Sequence, residues 1–171
     1  SRSRHRGLFF FYKKYIKNNK IKILHFAPES ILSPLFTGEN HSYYTTDLYM
    51  ENVSYPNEDI QKLSFSDASL NFILCNHVLE HVEDDEKAVK EVSRILMKNG
   101  IAIITIPGNW KSEKTISQNP YYNNGHYRHY GLGIIRLLRK NFKNVKKINM
   151  HRYNLNLYAI KKMEVAFICE K

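Results

Sequence analysis

Two short aliphatic runs flank one amphipathic segment, and this arrangement constrains the fold more than any other feature of the chain. Leu70-Asn-Phe-Ile-Leu-Cys75 and Ile101–Ile106 are apolar almost throughout, as strands covered on both faces are. Between them, residues 84–98 place Ala88, Val89, Val92, Ile95 and Leu96 on one helical face. Asp84, Asp85 and Glu86 occupy the first turn, where the positive end of the helix dipole favours acids. Asn99-Gly100 predicts the helix stop, and Pro107 ends the second strand. Strand, helix and buried strand in succession imply an α/β fold with a parallel sheet between helical layers.

The remaining segments extend this pattern. Residues 7–18 carry Leu8, Phe9, Tyr12, Tyr15 and Ile16 at helical spacing, which predicts an N-terminal basic helix within residues 1–20. Residues 21–26 form a β-branched run that Pro28 stops, residues 29–36 have room for a brief helix, and residues 41–46 read as a strand ending at Asp47. Residues 58–63 predict a short extended piece. Residues 108–130 dissolve into Asn, Gly, Tyr and Lys, a loop long enough to carry function. Residues 131–142 are helical in pattern, and residues 145–150 and 164–169 read as closing strands, antiparallel at the sheet edge. At 171 residues the chain is expected to be a single domain, residues 21–107 forming a cofactor half and residues 108–171 an acceptor side.

Charge divides the chain in three. Residues 1–22 carry eight Lys or Arg and no carboxylate, residues 23–107 five basic and thirteen acidic residues, and residues 108–171 thirteen basic and three acidic. An acidic centre between basic flanks suggests two jobs on one domain, one of them tolerant of anions. No apolar run approaches the ~20 residues that span a bilayer. Two cysteines, Cys75 and Cys169, give no disulfide scaffold and suggest the reducing cytoplasm. Ser1-Arg-Ser-Arg-His-Arg6 reads as the start of a fragment, not a signal peptide.

Open parallel sheets bind ligands at the carboxyl ends of their strands, beside the point where strand order reverses. Asp47 lies about twenty residues after the first strand, the position expected of an acid that accepts ribose hydroxyls. The same residue in a loop also caps the turn that follows it. No Gly-x-Gly-x-x-Gly occurs, so nothing predicts a cradle for a pyrophosphate.

The segment Asp59-Ile-Gln-Lys-Leu-Ser-Phe-Ser-Asp-Ala-Ser-Leu-Asn-Phe-Ile-Leu-Cys-Asn-His-Val-Leu-Glu-His-Val-Glu-Asp-Asp85, with Glu91–Gly100 and Ile103–Pro107, closely resembles class I S-adenosylmethionine-dependent methyltransferases, and within them the type 11 group. The resemblance implies a Rossmann-like, seven-stranded, mostly parallel sheet and methyl transfer from the sulfonium of S-adenosylmethionine. It implies that Asp47 holds the ribose, that Asp59 and Ile60 meet the adenine, and that Asn76 borders the methionine end. It further implies that His77 faces the transferred methyl and that Glu80-His81 stands at the lip of the substrate cavity. The family's acidic, Gly-rich first motif is replaced by His25-Phe-Ala-Pro-Glu-Ser30. In that turn His25 and Phe26 lead in, Ala27 is small enough for close approach, Pro28 fixes the bend, and Glu29 is expected to meet the cofactor's amino group.

Gly125-His-Tyr-Arg-His-Tyr-Gly131 lies where this superfamily builds its acceptor site. His126 or His129 would act as general base, and Arg128 would clamp a carboxylate or phosphate bidentately. His81, Tyr127 and Tyr130 would border the acceptor. The paired spacings His77/His81 and His126/His129 raise a metal site, but the intervening Glu is misplaced for His-Glu-x-x-His, and no metal is expected. The function expected is methylation of O or N on a small, anionic metabolite or saccharide precursor. The alternatives are an RNA methyltransferase, using the basic tail from Arg136 to Lys147 with Tyr121, Tyr122, Tyr127 and Tyr130 for stacking, and a binding module of the same fold without turnover, held in a larger assembly through its basic flanks.

Overall fold

The computed structural model describes Leu8, Lys14 and residues 20–37, 41–150 and 165–171. The expected N-terminal helix lies outside the described residues except for Leu8 and Lys14, both helical. In chain order the elements are β1 (Lys22–Phe26), α1 (Ser33–Thr37), β2 (Ser42–Asp47), β3 (Tyr55–Pro56), β4 (Leu70–Asn76), a 3-10 turn (Leu79–His81) and α2 (Asp85–Ile95). They continue with β5 (Leu96–Thr105), β6 (Ile116–Ser117), β7 (Arg128–His129), α3 (Ile134–Asn141), β8 (Asn144–Asn149) and β9 (Val165–Glu170).

Seven strands form one sheet in the order β3-β2-β1-β4-β5-β9-β8, and β6-β7 form a separate two-stranded ribbon. β1, β2, β3, β4 and β5 run parallel to one another, and β9 runs antiparallel to both β5 and β8. The antiparallel strand therefore sits one place in from the edge, with β8 outermost. Strand order reverses between β1 and β4, so their carboxyl ends open a crevice there.

The pleat sorts the aliphatic runs onto two faces. Leu24, Phe26, Ile73, Cys75, Ala102 and Ile104 join Ala88, Val89 and Val92 of α2 and Ile134 and Leu138 of α3 in one core. Ile23, Phe72, Leu74 and Ile103 join Leu8, Leu32 and Phe36 in a second core beneath the sheet.

α2 begins as its acidic first turn predicts: the Asp84 carboxylate accepts the Lys87 N–H at 3.0 Å. Its end differs from expectation. The helix stops at Ile95, and Asn99-Gly100 lies inside β5, Asn99 in the left-handed region at φ +62°. A distant segment causes this: Lys171 Nζ donates to the carbonyls of Arg94 and Leu96 at 3.2 and 2.8 Å, and Asn99 N–H donates to the Lys171 carbonyl. Residues 58–63 also differ, forming turns and not a strand; the third strand is Tyr55–Pro56.

The long excursion after β5 is closed at its base. Gly108 and Tyr130 form an isolated parallel bridge, and Asn109 N–H donates to the Tyr130 carbonyl at 2.8 Å. A Cβ at Gly108 would stand 2.6 Å from that carbonyl oxygen, so only glycine permits the approach.

Candidate functional site

A cavity of about 500 Å³ opens at the carboxyl ends of β1, β2 and β4, within the size range of small-molecule and cofactor sites. Its floor is Phe26 and Ala27 from the end of β1 and His77 and Val78 beyond β4. One wall is Asp47, Leu48 and Tyr49, and another is Glu58, Asp59, Ile60 and Gln61. His81 and Val82 close the side, and Pro120, Gly125 and Tyr127 of the excursion form the roof. Three carboxylates and no Lys or Arg line it among the described residues, in a chain of formal charge +10. That wall favours a cationic ligand.

The backbone of the floor is shaped without glycine. Ala27 takes φ +48° and His77 φ +52°; each is fixed across the sheet, Ala27 N–H donating to the Thr46 carbonyl at 2.9 Å and His77 N–H to that of Thr105 at 2.8 Å. The left-handed conformation that a family glycine would supply is thus imposed on alanine, the smallest side chain that still carries a Cβ.

Of the expected cofactor residues, Phe26, Ala27, Asp47, Asp59, Ile60 and His77 line the cavity, whereas His25, Pro28, Glu29 and Asn76 do not. Asp47 Oδ1 accepts the N–H groups of Tyr49 and Met50 at 2.7 and 2.9 Å, a turn cap that leaves Oδ2 without a partner among the described residues. Asp59 accepts from Gln61, through N–H at 2.8 Å and Nε2 at 3.1 and 3.2 Å. The wall carrying Asp59 and Ile60 is pinned to α2 by Arg94, which donates to the carbonyls of Leu63 and Phe65 and to Asp67 and Glu91.

His25 sits beneath the floor, fully buried. Asn76 Nδ2 approaches His25 Nε2 at 3.5 Å, and His25 Nδ1 meets the Tyr43 hydroxyl at 2.9 Å. Tyr43 reaches Ser33 Oγ at 3.1 Å, and Ser33 Oγ donates to the Glu29 carbonyl at 3.4 Å. Burial lowers the His25 pKa to about 4, partly opposed by the charge of Glu29, so the ring is neutral and acts as a strut under the turn.

The excursion departs furthest from expectation. Arg128 Nη1 and Nη2 donate to the carbonyls of Val82 and Glu83, each at 2.6 Å, and Nε lies 3.6 Å from Asp85. The guanidinium is committed to clasping the roof to the turn before α2, and Arg128 does not line the cavity. Tyr130 is 1% exposed, its hydroxyl donating to Asp85 Oδ2 at 2.9 Å and standing 3.2 Å from the Leu79 carbonyl; it is a core anchor and not an acceptor contact. His129 lies in the β6-β7 ribbon, paired with Ile116, away from the cavity wall. His126 also lies off the wall, edge-on to His81 with ring centroids 4.7 Å apart. Burial, followed by the neighbouring His81, lowers its pKa. Tyr127 and His81 do line the cavity.

Residues 36–104 match the family model described as a methyltransferase domain. This match covers the central part of the chain, from α1 to β5, and less than half of its length. The chain is similar to the uncharacterized methyltransferase YcgJ of Bacillus subtilis, 34% identical over 59 residues, which cover 34% of this chain and 23% of that protein's length. In fold it resembles an Archaeoglobus fulgidus S-adenosylmethionine-dependent methyltransferase, with TM-score 0.70 and 15% identity over 100% of this chain and 95% of that one. It also resembles the Burkholderia thailandensis 1,6-didemethyltoxoflavin-N1-methyltransferase, solved with S-adenosylhomocysteine, with TM-score 0.68 and 13% identity over 98% and 76% of the two chains.

Leu48, Tyr49, Glu58 and Gln61 on the walls and Pro120 in the roof also line the cavity, and the sequence pattern did not single them out. Asp59 gives Gln61 a local signal, since an Asp side chain caps the backbone N–H two residues on, here that of Gln61 at 2.8 Å. Pro120 had none, whereas Gly125 and Tyr127 belong to the Gly125–Gly131 motif.

Proposed function

We propose that this chain is an S-adenosylmethionine-dependent methyltransferase acting on O or N of a small metabolite. The observation that carries the reading is the acid-lined cavity at the reversal of strand order, which suits a ligand bearing a sulfonium and an ammonium. In that role Asp47 Oδ2 would accept from the ribose, Asp59 and Ile60 would meet the adenine, and Ala27 would allow the nucleoside against the floor. When bound, the cofactor supplies an electrophilic methyl group, so this chain's task is to position the acceptor and receive its proton.

For that proton we favour His77 over His126 or His129. His77 lines the cavity, and its Nδ1 lies 3.0 Å from the Glu80 carboxylate, an orientation that leaves Nε2 as the basic nitrogen. The anionic character expected of the acceptor rested on Arg128 and on the basic flanks; with Arg128 committed to protein carbonyls and no Lys or Arg lining the cavity among the described residues, the reading keeps a small acceptor and drops the requirement for negative charge. A polynucleotide acceptor has less support, because the basic residues of α3 and β8 lie outside the cavity lining. No helix among the described residues is long and apolar enough to cross a membrane, and the two buried free thiols suit a reducing cytoplasm.

Calorimetry with S-adenosylmethionine and S-adenosylhomocysteine tests the proposal. The wild type is expected to bind both. Asp47→Asn, which keeps an oxygen for the turn cap and loses the charge, is expected to bind about tenfold more weakly. Absence of binding by the wild type at millimolar cofactor overturns it.

A further inference from the structure

A carboxylate oxygen of Glu80 and ring nitrogens of His81 and His126 lie within 4.8 Å of one another at the lip of the cavity. The two histidines come from segments 45 residues apart in sequence, brought together where the roof meets the turn after β4. Tyr127 N–H donates to the Glu80 carbonyl at 2.8 Å and fixes that junction. A second observation points to a ligand. Glu80 is 1% exposed, its Oε1 is engaged by His77 at 3.0 Å, and its Oε2 is buried without a hydrogen-bond partner among the described residues. Leaving a buried carboxylate oxygen unsatisfied is costly, and cations satisfy it.

His81 is oriented as metal-binding histidines are. Its Nδ1 lies 3.2 Å from the Gly125 carbonyl, which only accepts, so Nδ1 carries the proton and Nε2 the lone pair. Gly125 makes this possible: it adopts φ +78°, and a Cβ there would stand 3.1 Å from His81 Nδ1.

We propose that Glu80, His81 and His126 form a binding site for a divalent first-row transition ion, with at least one coordination position open toward the cavity. Two imidazoles and one carboxylate suit Zn²⁺, Co²⁺ or Mn²⁺, whereas Mg²⁺ and Ca²⁺ prefer oxygen donors throughout. Three protein ligands leave room for water or for an oxygen or nitrogen of a second ligand, and His81 lines the cavity that ligand would enter. Sequence spacing suggested two separate histidine pairs and no metal; the fold instead takes one histidine from each pair and adds the glutamate between. Ion binding at this site does not depend on the methyl-transfer reading, and its test needs no cofactor.

The chelator-treated protein is titrated with Co²⁺, followed by visible absorption, and then with Zn²⁺ in competition. One equivalent is expected at micromolar affinity, with Mg²⁺ failing to compete. Glu80→Gln and His126→Ala are each expected to weaken binding by about 100-fold or more, the upper end of what even supporting partners of a metal site contribute. His41→Ala, at a histidine outside the cluster, is expected to leave it unchanged. Circular dichroism checks each fold, and if Glu80→Gln does not fold, His126→Ala decides alone. The proposal is overturned if the wild type binds neither ion in the micromolar range, or if His126→Ala binds as tightly as the wild type.

Discussion

His25 and Asn76 stand side by side at the carboxyl ends of β1 and β4, Nε2 and Nδ2 3.5 Å apart, and join the two strands that bound the cavity. The contact requires a neutral imidazole, because Nε2 accepts from the Asn76 amide while Nδ1 donates onward to Tyr43. It therefore ties the shape of the first turn to pH. The folded His25 pKa of about 4 lies below the ordinary value of 6.5, so the unfolded chain binds the extra proton first. The stabilisation is fully present above pH 6.5 and is lost as pH falls from there to about 4, on the order of 3 kcal/mol in total. Urea midpoints measured across that window are expected to fall more steeply for the wild type than for His25→Gln. Parallel curves refute this.

Arg128→Lys is expected to destabilise the protein by about 2–3 kcal/mol in urea denaturation. A lysine cannot span two carbonyls and a carboxylate with one rigid fork, so the bonds to Val82 and Glu83 are not both replaced. An unchanged unfolding midpoint would return Arg128 to the acceptor role its sequence context suggested.

Tyr130→Phe removes one hydroxyl from the buried contact with Asp85 and Leu79. About 1–2 kcal/mol of stability is expected to go, a lowering of the melting temperature by about 3–6 °C. S-adenosylhomocysteine affinity by calorimetry is expected to stay within about twofold of wild type, a change below about 0.5 kcal/mol.

Ala27 carries the left-handed turn at the cavity floor. Ala27→Gly relieves about 1 kcal/mol of backbone strain and adds a similar entropy to the unfolded chain, so thermal melts are expected to change little. Ala27→Val puts a β-branched side chain at positive φ and crowds the cavity. Both melting temperature and S-adenosylhomocysteine binding are expected to fall.

The sheet was legible where its determinants are local. Residues 70–75 and 101–106 declare buried strands by composition, and Asp84 announces α2 by its place before an apolar face. The end of α2 was not legible, because Asn99-Gly100 is an ordinary helix stop until Lys171 arrives from the far end of the chain to pair with it. On the site side, Asp47, Asp59, Ile60 and His77 stand out by their motif context, and all four line the cavity. Arg128 and Tyr130 were misread for a physical reason. Both are chemically versatile side chains in a polar loop, and the groups that occupy them, Val82, Glu83 and Asp85, lie about 45 residues upstream. The Glu80, His81 and His126 cluster was hidden similarly, since spacing along the chain counts neighbours on one turn and says nothing of a roof folded back over it.

The bridge between Gly108 and Tyr130 sets how much change the loop above the cavity tolerates. By meeting at one point above β5, the two ends of the excursion fix its base, where Trp110 packs edge-on against Phe167 of β9. Doubling the length of such a closed segment costs only about 0.6 kcal/mol. Residues 116–126 can therefore change in length at little closure cost, reshaping what enters from above while the walls carrying Asp47 and Asp59 keep their own supports.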